Sequence, residues 1–154
     1  MGLWDWALSA YARPNVAAVC LALQDGHGQN VPLLLAAAWA ASEGRTLDLD
    51  RAVALTQAWE ADVVAPLRSA RRGLKISSKP IPDTGREALR ETVKAVELEA
   101  ERLLLRALES LAWPGDAAPV EPALTAAAAR WSAMKNSPPP PADGITALSS
   151  ALLD

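Results

Sequence analysis

Apolar positions recur at steps of three and four along almost the whole chain, in stretches separated by proline and glycine. Leu3, Trp4, Ala7, Leu8 and Tyr11 form one face of a first helix. Arg13-Pro14 stops it, because the residue before a proline is driven out of the α region. Val16, Val19, Cys20 and Leu23 mark a second helix, from Pro14 to about Asp25, broken by Asp25-Gly26-His27-Gly28. Asn30 is a suitable N-cap for a third through about Ser42, with Pro32 tolerated in its first turn. Val31 to Ala41 has almost no polar face, and a helix apolar all round is a central one, which places Trp39 in the core.

Asp48 or Asp50 caps a fourth helix carrying Val53, Leu55, Trp59 and Val63; Pro66 either kinks it or begins a fifth over Ala65 to Lys75. A loop over Ser77 to Asp83 follows. The sixth helix is the plainest, about 85–113, with Leu89, Val93, Val96, Ala100, Leu103, Ala107 and Leu111 as a seam for neighbouring helices. Its ~29 residues span roughly 43 Å, long enough to project from a bundle or to pair with a second copy as a homodimer. Glu121 to Lys135 is a seventh helix. Pro138 to Pro141 then make a stiff linker, before Ile145, Leu148, Leu152 and Leu153 in a short amphipathic turn. The pattern predicts an all-α fold: one compact bundle of six or seven helices over 1–136, then a Pro-rich linker and C-terminal tail over 137–154.

Composition agrees. Of 154 residues 51% are hydrophobic, with no Phe and six Trp; alanine and leucine dominate, and strand-favouring residues are scarce. A single cysteine, Cys20, excludes an internal disulfide, and with one histidine, His27, a Cys/His zinc site lacks ligands. No metal and no cofactor are expected. The N-terminus has no basic leader, and Val31 to Ala41 is too short to cross a bilayer, so the expected setting is cytoplasmic with no membrane span.

Several stretches together, Trp4 to Tyr11, Cys20 to Asp25 with Gly28, Leu33 to Trp39, and Trp59 to Lys75 with Val64-Ala65-Pro66-Leu67-Arg68 and Arg71-Arg72, resemble a small bacterial family of Trp-containing helical proteins designated only as a domain of unknown function. The resemblance covers about residues 3–113. It departs at Val31-Pro32, where an Asn is expected in place of the proline. It implies a helical fold and a bacterial cytoplasmic setting, and brings no activity with it.

Four features bear on chemistry. Residues 64–80 carry five basic and no acidic side chains within a chain of net charge −3. Arg68, Arg71, Arg72 and Lys75 are spaced to project from one side of a helix, with Lys79 after them. Such a stripe suits a protein partner bearing acidic or phosphate groups, an anionic ligand or RNA. Pairing with acids of the first half or of the long helix is the structural alternative. The second feature is the loop at Gln24, Asp25 and His27; one more helical turn would align Cys20, Gln24 and His27, the geometry of an activated thiol, although no orienting group or oxyanion site accompanies it. The third is Trp4, Trp6, Trp39 and Trp59, which either fill the core or line an interhelical pocket near Asp25 to Asn30. Trp4 and Trp6 lie two apart, so both cannot face inward from a regular helix. The fourth is the tail, either a docking peptide or a frayed end. No catalytic motif is present. The leading reading is a non-catalytic cytoplasmic interaction or adaptor protein using the basic face; the alternative is a small-molecule-binding protein or enzyme with the Trp-lined pocket.

Overall fold

The most apolar stretch of the sequence becomes the most buried helix. In the computed structural model, which describes residues 1–154, α3 (Val31–Ser42) buries every residue from Val31 to Ala40 except Pro32. Asn30 caps it as the sequence predicts, its Oδ1 accepting from the Leu33 N–H at 3.0 Å. The chain divides into two compact units, residues 1–54 with 105–154, and residues 55–104.

In the first unit, α1 (Leu3–Tyr11) and α2 (Val16–His27) pack on α3, and α7 (Val120–Met134) lies along it. The end of the long helix α6 (Asp83–Glu109) contributes the buried Leu105 and Leu108. Two N-terminal contacts fasten α1: the Leu3 N–H donates to Glu109 Oε2 at 2.9 Å, and the Trp39 indole N–H donates to the Met1 carbonyl at 3.0 Å. Trp6 is buried while Trp4 is half-buried, so the two indoles do take different bearings.

The C-terminal segment differs from the tail expected of it. Residues 142–153 form a helix, α8 (Ala142–Leu153), which packs on α2 and α7 and buries Ile145, Leu148, Ala151 and Leu152. The Arg13 guanidinium donates to the Leu152 carbonyl near its end. The polyproline run is therefore a connector inside the first unit. α7 ends at Met134 with Asn136 in the left-handed region, the prolines follow from 138, and the apolar face behind them is large enough to be worth burying.

Two short strands also escape the sequence reading. β1 (Arg45–Leu47) pairs antiparallel with β2 (Ala112–Pro114), Thr46 opposite Trp113. β2 takes up what was expected to be the end of the long helix, which stops at Glu109.

The second unit is a helical hairpin. One arm is the end of α4 (Leu49–Trp59), a π turn over Glu60–Val64, and α5 (Ala65–Gly73); the other is α6 as far as residue 104. Pro66 sits in the first turn of α5, which begins at Ala65 as one of the two sequence readings has it. It has no N–H to give to residue 62, and the wider π turn, with the Ala65 N–H bonded to the Glu60 carbonyl five residues back, carries the chain through without a break. The arms run antiparallel: the Trp59 indole donates to the Ala100 carbonyl at 3.0 Å, and near the loop Arg86 donates to the Leu74 carbonyl.

The α6 seam is rotated from its expected bearing. Within this unit the sheltered positions are Arg86, Arg90, Val93, Glu97, Ala100 and Leu104, spaced by fours and threes. Leu89, Val96 and Leu103, spaced by sevens along the same helix, are 53%, 47% and 47% exposed, each about half open to water. The sheltered side includes Glu97, which meets Arg71 of the facing arm. No helix is long and apolar enough to cross a membrane.

Candidate functional site: the charged hairpin

The basic stripe does not stay whole. Arg68 Nη1 meets Glu60 Oε1 at 3.0 Å, and Arg71 Nε meets Glu97 Oε1 at 2.7 Å. The second pair is the more sheltered, with 24% and 18% of the two side chains exposed. A guanidinium–carboxylate bond so short and so far from water is charge-assisted and weakly screened. These two cations therefore belong to the hairpin's own cross-bracing.

Arg72 and Lys75 differ. Both are exposed, and neither meets a carboxylate. α5 ends at Gly73, so Lys75 lies in the turn beyond it and not on the helical face that its spacing predicts. Lys79 lies 3.3 Å from Asp83, with both side chains well exposed. The Ser77 hydroxyl first, then Lys79 and Arg86, hold the Asp83 carboxyl below its ordinary range. Glu101 keeps an exposed side chain, yet the protein atoms crowding its carboxyl desolvate it and push it up, and the like charges of Glu97 and Glu60 add to this against the opposing pull of Arg68.

Beside the hairpin loop is a cleft of about 550 Å³, whose walls include Lys75 from one arm and Thr84, Arg86 and Arg90 from the other. Arg86 and Arg90 were not among the residues expected at a site. Their spacing of four on the α6 face is the only signal the sequence gives, and the many acids around them make it read as a solvated surface.

The second candidate is not assembled as a reactive pair. α2 does run to His27, two residues past its expected end at Asp25, with Gly28 left-handed as its C-cap. Cys20, however, has no exposed surface, and burial pushes its thiol up to about 11, whereas His27, Gln24 and Asp25 are open to solvent. No group of three His, Cys, Asp or Glu side chains converges to hold a metal.

The tryptophans are dispersed. Trp6 and Trp39 are core residues of the first unit, while Trp59 belongs to the second. Nine residues of α3 separate Trp39 from Asn30, roughly 14 Å along the axis, so Trp39 stands far from Gln24, Asp25 and His27 at the other end.

No curated protein and no solved structure matches this chain. A family model does, over residues 2–108, from the start of α1 almost to the end of α6. The match takes in the whole hairpin and leaves out α7 and α8, which cover α3 and α2 in the first unit. The chain thus belongs to the family described as protein of unknown function DUF2390, in keeping with the resemblance of its tryptophan and arginine segments.

Proposed function

We propose that this chain is a non-catalytic interaction protein of the bacterial cytoplasm, which binds a protein partner bearing acidic or phosphate groups through the loop end of its hairpin. The observation that carries this reading is the pair Arg72 and Lys75, exposed and without a carboxylate partner in a segment that has five cations and no acid. Arg68 and Arg71 act differently: they brace the arm that presents the free pair. The alternative, a Trp-lined pocket near Asp25 to Asn30, has no comparable support, since its indoles are core residues or lie in the other unit.

Titration of the full chain with a fluorescent glutamate-rich peptide tests the proposal. Joint replacement Arg72→Ala and Lys75→Ala should weaken binding roughly five- to tenfold at low ionic strength, in line with two exposed charge contacts, and raised salt should erase the difference. Arg106→Ala, which removes an exposed charge elsewhere on α6, serves as the control. Equal affinity for the double variant and the wild type would refute the reading.

A further inference from the structure

The cleft at the hairpin loop has charges that do not cancel evenly. Glu91 is drawn to Lys94 at 3.0 Å, and Glu87 faces Arg86 at 3.5 Å. Arg86 is fixed in place: its side chain is only 10% exposed, one terminal nitrogen lies 3.5 Å from Asp83, and another donates to the Leu74 carbonyl. Lys75 and Arg90 are left, one from each arm, without a carboxylate. Arg90 is half-buried, and its Nε is shut away from water with no acceptor. Of its nitrogens only Nε is so enclosed, so an anion in the cleft would meet the terminal nitrogens, where charge-assisted hydrogen bonds can form.

We infer that this cleft receives a phosphate monoester borne on a side chain of the protein partner. The inference rests on the reading of the hairpin as a partner-binding surface and deepens it. Two uncompensated cations match a dianion: a carboxylate would neutralise one of them, whereas a phosphate monoester carries close to two charges at neutral pH. The planar fork of Arg90 suits two phosphate oxygens side by side, and Lys75 supplies a point charge from the facing arm. Thr84 adds a hydroxyl donor in the first turn of a 27-residue helix, the end at which the helix dipole favours negative charge. Glu87 and Glu91 on the same wall repel further anionic groups, which selects a single phosphate against a nucleic-acid backbone.

The test is an amide-shift titration of the full chain with a capped phosphoserine peptide, its serine and glutamate counterparts, and inorganic phosphate. The phosphoserine peptide should bind best and shift residues 75 and 84–91. Arg90→Gln and Lys75→Gln should each weaken it roughly tenfold, as loss of a charge-assisted contact does, with Arg90→Lys intermediate because the fork is gone and the charge kept. Thermal melts of each variant show that it is folded, and Arg106→Gln should leave binding unchanged. Equal binding of the phosphoserine and glutamate peptides overturns the inference, as does unchanged affinity in both Arg90→Gln and Lys75→Gln. Inorganic phosphate binding as tightly as the phosphopeptide overturns a protein-borne source. If the glutamate peptide binds as well as the phosphopeptide and still loses affinity in the Arg72→Ala, Lys75→Ala variant, the cleft assignment falls and the partner-binding reading stands.

Discussion

Leu148 offers a direct measure of whether the C-terminal helix belongs to the core. It has no exposed surface and lies on the face that α8 turns to α2 and α7. Leu148→Ala removes about three carbons, and at ~0.8 kcal/mol per buried methylene the transfer term alone is roughly 2.4 kcal/mol. The cavity left behind raises this toward the middle of the ~2–5 kcal/mol range for such truncations, so a loss of about 3 kcal/mol is expected. That is a large part of a typical total of ~5–15 kcal/mol. Five of the six tryptophans lie in the first unit, so urea unfolding followed by tryptophan fluorescence reports chiefly on it. Leu153, five residues further on and 69% exposed, is the matched control. Its truncation should change stability by less than ~0.5 kcal/mol. If the two variants shift the urea midpoint alike, α8 contributes nothing to the core, and the C-terminal segment is a tether.

Arg71→Met strands Glu97 half-buried without its partner and should cost about 1–3 kcal/mol, whereas Arg71→Met with Glu97→Leu should recover most of it; thermal melts that show simple additivity would refute the coupling. Cys20, its thiol pushed up to about 11, should take no iodoacetamide in the folded protein at mildly alkaline pH and react readily in urea; native labelling at the unfolded rate, read by mass, would contradict its burial. Glu101 has a folded value above the ordinary 4.5, so its ionisation weighs against folding, and the deficit grows as pH rises from the unfolded value through the folded one. Glu101→Gln should therefore melt higher than the wild type at neutral pH and at the same temperature well below pH 4.5; an equal gain at both would show that the charge is not the cause.

The parts of this fold that were legible are those that local chemistry decides. Asn30, the apolar run after it and the length of α6 depend on capping, helical periodicity and proline stops, all properties of neighbouring residues. The parts that were not depend on partners distant in sequence. Three residues at Arg45–Leu47 have no strand pattern of their own and become a strand only because Ala112–Pro114 comes alongside. The docking of α8 was hidden because four prolines read equally well as a tether and as a turn between two packed helices. At the site, a spacing of three and four correctly places Arg68 and Arg71 on one side of a helix, but not what faces them. Glu60 lies across a π turn and Glu97 on the opposite arm, 26 residues on. The α6 seam misled for the same reason: periodicity finds an apolar stripe, but not which of its residues face another element.

The π turn beneath Pro66 works as a register lock on the arm above it. Five residues there cover what an α-helix would wind about 100° further. With Pro66→Ala an N–H returns at residue 66, and the arm is free to wind as uninterrupted α-helix. Every side chain beyond would then swing by about that angle, with Leu67 and Ala70 taking the bearings that Arg68 and Arg71 now hold. Glu60 and Glu97 would face hydrocarbon, and two more guanidiniums would turn outward. The set of charges this arm displays is thus chosen by an imino ring upstream of them as much as by the arginines themselves.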